Sequence, residues 1–324
     1  MRLPIMSLDA DVSPLPKFNE QMYSEVVAGL QSDPPEISAK YLYDDRGSEL
    51  FGQICDLEEY YLTDKELELI RTHGADIAAR VGSRARLVEL GAGSGAKTRV
   101  LLEHLHELAA YVPVDISAKQ LQQCAGLVGC TDARFEVLPV CADYTSQWEL
   151  PKNGFDGRTV FFYPGSTIGN FHPGEARRFL GRLARRGGPR SAMVIGVDLD
   201  KDPEIIEAAY NDSRGVTAQF ILNVLRRINR ECGADFQRHN FAYRGIYQQQ
   251  EQRIQARLLS RCKQTVNFPD TSFEFDEEDW IVAEYSYKYT IEGFAELAEE
   301  ANWRTRAIWT DDEQMFSLWY LEVE

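Results

Sequence analysis

A glycine-rich turn between an apolar strand and a helix, at residues 87–98, limits what this chain can fold into more than any other stretch. Leu87-Val88-Glu89-Leu90 predicts a strand, Gly91-Ala92-Gly93-Ser94-Gly95 follows it, and a helical pattern begins directly afterwards. Glycine lets the backbone approach a ligand closely, and a helix start offers unpaired N–H groups. An open parallel sheet holds a nucleotide-like cofactor in this way. The stretch therefore predicts an α/β fold with a Rossmann-like nucleotide site.

Composition excludes several classes of function. The 324 residues include 51 acidic and 35 basic ones, a formal net charge of −16, which argues against a nucleic-acid-binding protein. No run approaches the roughly 18 apolar residues of a membrane helix, and the N-terminus lacks a signal-peptide pattern. The five scattered histidines show no H-E-x-x-H spacing, so we expect no metal. Six cysteines without a C-x-x-C pair predict reduced thiols and a cytoplasmic protein: Cys55, Cys124, Cys130, Cys141, Cys232 and Cys262.

Strands and helices alternate through the middle of the chain. Further strands are predicted at residues 111–115, 135–140, 159–163 and 192–198. Strand, helix, strand at this cadence predicts a parallel sheet. The chain then closes with two strands joined by an acidic turn, which predicts the terminal antiparallel hairpin common in class I methyltransferase folds.

The cadence stops after residue 199, where a long helix and alternating, antiparallel-like strands follow. We therefore expect a Rossmann-like domain over 65–199 and 289–324, and a smaller discontinuous α+β substrate-binding lobe over 16–64 and 200–288. Residues 1–15 are polar and rich in proline, and we expect a flexible tail there.

Two local patterns carry expectations of their own. Thr63 followed by Glu66 predicts a capping box at the start of a helix. Pro113 counts against the strand at 111–115, because proline has no N–H to donate to a sheet ladder.

Several strand ends bear on the identity of the cofactor. Gly91-x-Gly93-x-x-Ala96 meets the loose dinucleotide fingerprint, and Asp115, 24 residues after Gly91, is placed to hold a ribose hydroxyl pair. This fits NAD and S-adenosylmethionine (SAM) equally. Asp143 offers a carboxylate for an adenine amine and Tyr144 an aromatic face, whereas no proton-relay pair for hydride transfer stands in an obvious place. These features favour SAM. The alternative interpretations are that Asp115 and Asp143 only cap helices, that Gly91 and Gly93 only allow close packing, and that Lys97 is only solvated.

Short sequence blocks then carry a resemblance along nearly the whole chain. The blocks are Tyr43-Asp44, Gly47-Ser48-x-Leu50-Phe51, Glu59-Tyr60-Tyr61-x-Thr63, Glu89-Leu90-Gly91-x-Gly93, Lys97-Thr98-Arg99, Gly165-Ser166-Thr167-Ile168-Gly169-Asn170, Tyr210-Asn211-Asp212, Gly215-Val216-Thr217-Ala218, and Glu284-x-Ser286 with Lys288-Tyr289. In them the chain resembles the ergothioneine-pathway histidine Nα-methyltransferases. The blocks at 165–170 and 210–212 are the most specific to that family and its relatives.

The resemblance implies an activity and two sets of contacts. The activity is SAM-dependent methylation of L-histidine in successive steps to trimethylhistidine (hercynine), the first step of ergothioneine biosynthesis. The implied SAM contacts are Tyr43, Gly91, Lys97, Asp115, Asp143 and Tyr144. The implied histidine contacts are Tyr60, Asn170, Tyr210, Glu284 and Ser286. Family members commonly carry phenylalanine where Tyr144 stands, and stacking on adenine survives that change.

The substrate residues suit histidine chemically. Glu284 accepts from an imidazole N–H, and Ser286 serves the other ring nitrogen. Asn170 and Tyr210 suit the amino-acid carboxylate and position the amine, while Tyr60 closes the pocket. No residue is predicted to act as a nucleophile, because the sulfonium of SAM already carries the activation.

Other interpretations stay open at this point. Glu284 could pair with Lys288, and Tyr210 could be a core residue. The protein could methylate another amine such as a tryptophan derivative, sense SAM without catalysis, or, more remotely, use NAD. We expect a small-molecule substrate, no nucleic-acid or membrane partner, and a monomer.

Overall fold

The computed structural model describes residues 18–93, 95–131, 135–151 and 155–323. Its α-helices are α1 (Glu20–Leu30), α2 (Asp45–Cys55), α3 (Tyr61–Val81), α4 (Ala96–Leu102), α5 (Ala118–Thr131), α6 (Pro173–Gly187), α7 (Pro203–Tyr210), α8 (Val216–Cys232) and α9 (Ile291–Glu300). Its strands are β1 (Arg86–Leu90), β2 (Ala110–Asp115), β3 (Glu136–Val137), β4 (Val140–Cys141), β5 (Thr159–Tyr163), β6 (Ala192–Asp198), β7 (Phe241–Gln248), β8 (Arg253–Ser260), β9 (Gln264–Asn267), β10 (Ser272–Phe275), β11 (Trp280–Tyr287), β12 (Trp303–Thr310) and β13 (Phe316–Val323). The predicted tail at 1–15 and the Cys130 side chain lie outside what is described.

One mixed sheet organises this part of the chain. Its strand order is β12-β13-β6-β5-β1-β2-β3, with β4 also paired to β2. The strands from β6 to β3 run parallel, whereas β13 is antiparallel to both β6 and β12. The predicted strands at 159–163 and 192–198 match β5 and β6 residue for residue. The Rossmann-like α/β sheet with a terminal antiparallel hairpin is confirmed.

Side chains of the central strands alternate between two hydrophobic clusters, one on each face of the sheet. Leu87, Phe162 and Val194 belong to one cluster, and their chain neighbours Val88 and Phe161 belong to the other. A strand buried on both faces reads as a continuous apolar run, because successive side chains point to opposite faces. This is why these segments could be predicted as strands from apolar composition alone.

The predicted strand at 135–140 is wrong in its continuity. The structure instead has β3 and β4, of two residues each. The first pairs with Ala110 and Tyr111, the second with Val114 and Asp115, and the interruption falls beside Pro113. The break therefore coincides with the residue that has no N–H to give a ladder. The strand at 111–115 forms nevertheless, beginning one residue earlier.

The predicted capping box of Thr63 and Glu66 is also wrong. Helix α3 begins at Tyr61, so Thr63 already lies in its first turn. Glu66 is fully buried and accepts hydrogen bonds from the Lys97 ammonium at 2.7 Å and the Gly165 N–H at 2.8 Å. These tertiary partners, one of them charged, replace the local backbone contact that a capping box requires.

A second, three-stranded antiparallel sheet with the order β11-β8-β7 lies within residues 200–288. Its strand β11 reaches the carboxyl edge of the main sheet, where the Tyr289 N–H donates to the Asp198 carbonyl at 3.1 Å. This contact brings the side chains of β11 to the end of β6. The division of the chain into two lobes at the boundaries given above stays a prediction.

The start of α8 supplies a first test. Asp212 is buried and accepts from the Val216 and Thr217 N–H groups at 2.8 Å each, which helps to lower the pKa of its carboxyl against the effect of burial. We expect Asp212→Ala to reduce the free energy of unfolding by about 1–2 kcal/mol, as loss of an N-terminal cap does.

Asp212→Asn is the matched control, since its single amide oxygen keeps one acceptor. Its loss should be smaller than that of the alanine variant in urea denaturation at pH 7. Equal losses in the two variants would contradict a capping role for the carboxylate.

Candidate active site

The glycine turn meets the ends of neighbouring strands at the carboxyl edge of the sheet. Gly91 has a φ of +77°, which glycine adopts without strain, and a Cβ added there would lie 3.5 Å from the Tyr144 ring. The Gly93 N–H donates to Asp115 Oδ2 at 3.2 Å. The structure thus brings Gly91, Asp115 and Tyr144 together, as a SAM site at this edge requires.

The two acidic residues of this edge also shape their own turns. Asp115 accepts from the Ser117 N–H at 2.8 Å, and burial raises the pKa of its carboxyl. Asp143 accepts from the backbone and the hydroxyl of Thr145, while its other oxygen lies 3.6 Å from Lys40 Nζ. A carboxylate has about four lone-pair sites, so these turn contacts leave acceptor capacity for a ligand.

Glu66, which sequence reasoning missed as a site residue, holds Lys97 in place. Its Oε2 accepts from both Lys97 and the Gly165 N–H, and its buried Oε1 has no hydrogen-bond partner among the described residues. The available signal was an acid on the buried face of α3, one turn from both Leu62 and Ile70. Lys97 is therefore not simply solvated.

A second polar group lies on one face of β11, where Glu284, Ser286 and Lys288 follow each other at every second residue. Tyr210, at the end of α7, donates its hydroxyl proton to Ser286 Oγ at 2.7 Å. The Tyr60 ring meets the Tyr210 ring edge-on, with centroids 6.4 Å apart. Apart from Lys288, these are four of the five residues predicted to contact the substrate.

Tyr43 is partly buried, and its ring packs against Phe51 and Phe220. Burial raises the pKa of its hydroxyl well above the usual range, and Glu284 and Tyr144 raise it further. Tyr43 is thus affected electrostatically by one residue of the predicted substrate set and one of the predicted cofactor set.

Asn170 ends a 3-10 turn, Thr167–Asn170, that follows β5. The turn is pressed against β11, since a Cβ added at Gly169 would lie 2.6 Å from the Tyr287 carbonyl oxygen. At its start, Ser166 Oγ accepts from the Asp198 N–H at 2.8 Å. The fifth predicted substrate residue is thus carried on a turn fixed to both sheets.

Glu284 has an unusual environment. Burial raises the pKa of its carboxyl to about 7, against the opposing effect of Lys288. Lys288 does not form the predicted alternative ion pair with it, because its ammonium binds Asp198, Tyr210 and Ser286. No described residue donates a hydrogen bond to Glu284, and its side chain is partly accessible, so its oxygens are open to a donor from a ligand.

Asp198, the last residue of β6, anchors Lys288 and was not predicted to have a role. Its fully buried carboxylate binds Lys288 Nζ at 2.7 Å, Lys201 Nζ at 2.6 Å and the Tyr61 hydroxyl at 2.9 Å. Burial alone would raise the pKa of Asp198, but the two ammonium groups lower it. The position was visible in sequence only as a strand-ending acid.

Within the described ranges, the His, Cys, Asp and Glu side chains form no group of three or more placed to hold a metal ion. The helices there include none that combines the length and the apolar character needed to cross a membrane.

The fold and the two polar groups define the class, that of SAM-dependent methyltransferases. A family model described as "Histidine-specific methyltransferase, SAM-dependent" matches residues 22–323. The chain belongs to this family.

Relatives of known name agree with the family. The chain is 38% identical over 301 residues to a histidine N-alpha-methyltransferase of Mycobacterium tuberculosis, covering 91% of this chain and 92% of the relative. It is 34% identical over 215 residues to ergothioneine biosynthesis protein 1 of Neurospora crassa, covering 62% of this chain and 23% of that longer protein. A 4-dimethylallyltryptophan N-methyltransferase of Epichloe festucae var. lolii is 25% identical over 325 residues, covering 92% and 94%.

The contact between Glu66 and Lys97 can be separated from cofactor binding. Lys97→Met leaves the fully buried Glu66 without its cation, and we expect a loss of about 3–5 kcal/mol in unfolding free energy. Adding Glu66→Gln removes the stranded charge, so the double variant should regain most of that stability in urea denaturation.

If Lys97 also contacts the cofactor, the stable double variant should still bind S-adenosylhomocysteine at least about tenfold more weakly by calorimetry. Unchanged affinity in that variant would leave Lys97 with a structural role only.

Proposed function

We propose that this protein transfers methyl groups from SAM to the α-amine of L-histidine, three in succession, to give hercynine in ergothioneine biosynthesis. The observation that carries the proposal is the Glu284 carboxylate, which lacks a protein donor and lies two residues from the Ser286 hydroxyl on the same face of β11. An imidazole ring offers one N–H and one acceptor nitrogen, which matches such a pair. The family and the histidine- and ergothioneine-named relatives support this substrate.

A tryptophan derivative is the alternative substrate. Its indole has one donor and no acceptor, so the Ser286 hydroxyl would be left without its partner at a cost of roughly 1–3 kcal/mol. The tryptophan-directed relative is also less similar to this chain, at 25% identity against 38%. Both facts favour histidine.

The residues of this chain have three tasks in the reaction. Bound SAM supplies an activated methyl group, so the protein needs to orient the amine rather than form a covalent intermediate. Gly91, Lys97, Asp115, Asp143 and Tyr144, together with Tyr43, are proposed to hold the cofactor. Asn170 is proposed to hold the amino-acid carboxylate, and Tyr210, whose proton is given to Ser286, to offer its remaining lone pair to the amine, so that the amine lies in line with the methyl group. Orientation of this kind is worth roughly 7–11 kcal/mol of the barrier.

The degree of methylation follows from the chemistry of the amine. Each transfer requires an amine lone pair, and a proton must leave before the next one. Trimethylation removes the last lone pair, so the reaction ends there.

We also infer a monomeric, cytoplasmic protein. The acidic composition and the unpaired state of the five described cysteines support this setting, because a reducing compartment keeps thiols free. Light scattering after gel filtration would test the monomer, and a mass near twice 36.9 kDa would contradict it.

A product assay tests the proposed reaction. Incubation with SAM and histidine should yield mono-, di- and trimethylated histidine by mass spectrometry, with the trimethylated form as the end product. Tryptophan and other amino acids serve as controls under the same conditions. Methylation of another amino acid in preference to histidine would overturn the assignment.

The raised pKa of Glu284 gives a dependence on pH. Above about pH 7 its carboxylate is ionised, so the KM for histidine should fall as the pH rises from 6 to 8. Glu284→Gln should raise the KM about tenfold or more at pH 8 and abolish the part of the pH dependence that exceeds the titration of histidine itself. Binding of S-adenosylhomocysteine by the variant should stay within about twofold of the wild type.

The unliganded protein offers an independent readout of the same group. A carboxyl whose pKa is raised from 4.5 to about 7 on folding destabilises the fold progressively between those values and fully above them. Glu284→Gln should therefore have a higher Tm than the wild type at pH 8, and the difference should shrink toward pH 4.5. A lower Tm at pH 8 would show that the carboxylate is satisfied within the protein.

A further inference from the structure

The Lys288 ammonium uses all of its hydrogen-bonding capacity inside the protein. Its side chain is fully buried, and Nζ lies 2.7 Å from Asp198 Oδ2, 3.0 Å from the Tyr210 hydroxyl and 2.9 Å from Ser286 Oγ. An ammonium has three donors and no acceptor. Both hydroxyl oxygens therefore accept from Lys288, and neither can donate to it.

This restricts what the two hydroxyl groups can do. Tyr210 donates its proton to Ser286 Oγ at 2.7 Å, so the Ser286 oxygen accepts twice, from Tyr210 and from Lys288. A hydroxyl has two lone pairs and one proton. With both lone pairs of Ser286 engaged, only its proton is left for a ligand. The phenol is the more acidic of the two hydroxyls, which favours this direction of the shared proton.

Glu284 lies on the same face of β11 and is an acceptor when ionised. The pocket therefore presents one acceptor and one enforced donor side by side. A ring with one N–H and one bare nitrogen satisfies both. A protonated imidazole would place a second ring N–H against the Ser286 hydroxyl proton. An indole would place a ring carbon there, and the hydroxyl would have no acceptor.

We propose that Lys288, held by Asp198, is a positioning residue that fixes the hydrogen-bond polarity of the Tyr210–Ser286 pair and so selects a neutral azole ring. The proposal rests on the proposed function, since it specifies how the same pocket distinguishes the histidine ring. Lys288 acts through Ser286 and Tyr210 and does not itself reach the ligand.

Lys201 provides a matched control for the buried charge. It binds the same carboxylate, Asp198, at 2.6 Å and the Tyr61 hydroxyl at 2.7 Å. Its ammonium makes no hydrogen bond to Tyr210 or Ser286 in the described structure. Removing either lysine thus takes one cation from Asp198, but only Lys288 sets the polarity of the pocket pair.

The experiment measures dissociation constants by calorimetry in the presence of S-adenosylhomocysteine. The ligands are histidine, the two pyrrolylalanines, which keep a ring N–H but lack the acceptor nitrogen, and thiazolylalanine, which keeps the nitrogen but lacks the N–H. The wild type should bind the better pyrrolylalanine at least about tenfold more weakly than histidine, because the enforced donor is stranded. It should also discriminate against thiazolylalanine, which leaves Glu284 without a donor.

In Lys288→Met, the Ser286 oxygen regains a free lone pair, so it can accept from a ring N–H as well as donate. The penalty for pyrrolylalanine relative to histidine should shrink to within about threefold, while the penalty for thiazolylalanine persists. Lys201→Met should keep both penalties, and Lys288→Arg, which restores donors, should keep more of the pyrrolylalanine penalty than the methionine variant. A general loosening of the fold would weaken the binding of all ligands together and leave the ratios of their dissociation constants unchanged.

Two results overturn the proposal: an undiminished pyrrolylalanine penalty in Lys288→Met, or an equal loss of it in Lys201→Met. If Lys288→Met does not fold, the same measurement is made on Lys288→Gln, whose neutral amide can still donate to Asp198, while Lys201 keeps the carboxylate paired. A wild type that binds S-adenosylhomocysteine but neither histidine nor its analogues would instead refute the proposed function. The two failures are thus distinguishable.

Discussion

The ion pair between Asp198 and Lys288 joins the two parts of the molecule on which the candidate site depends. Asp198 ends the central strand β6, and Lys288 directly follows β11 of the second sheet. A charge pair this deeply buried is tolerated only when further hydrogen bonds satisfy both groups. Here Lys201 and Tyr61 complete the carboxylate, while Tyr210 and Ser286 complete the ammonium. The pair therefore fixes where Tyr210 and Ser286 lie relative to the end of β6.

The site combines groups that are fully satisfied with one that is not. All three donors of the Lys288 ammonium have acceptors within the protein. Glu284 has no protein donor, and burial raises the pKa of its carboxyl to about 7. Glu66 shows a milder form of the same arrangement near the glycine turn, with one oxygen bonded twice and the other unpartnered. Carboxylate oxygens without a protein donor beside the two predicted sets of contacts are candidates for contact with a ligand.

Most of the fold could be predicted because its central strands are buried on both faces and read as continuous apolar runs. Strands β5 and β6 were predicted for this reason. The glycine turn was predicted from its residues and its place between a strand and a helix. The prediction was wrong where local and tertiary interactions compete. Glu66 binds Lys97 and the Gly165 N–H, which are distant in the chain, instead of capping a helix. The predicted strand at 135–140, which pairs with the strand containing Pro113, is interrupted. The substrate residues came from resemblance to a family, since Tyr60, Tyr210 and Glu284 are far apart in the chain and form no local pattern.

The sequence by itself determined the Rossmann-like sheet, the position of the glycine turn and the family, because periodicity, turn chemistry and short motifs are local properties of the chain. Only the tertiary structure decided that Lys288 turns away from Glu284 toward Asp198. A buried ammonium requires a charged partner, and Asp198, the one it has, lies 90 residues earlier in the chain at the end of another strand. That choice leaves Glu284 open for a ligand and sets Ser286 as a donor, which are the two features that distinguish the proposed substrate.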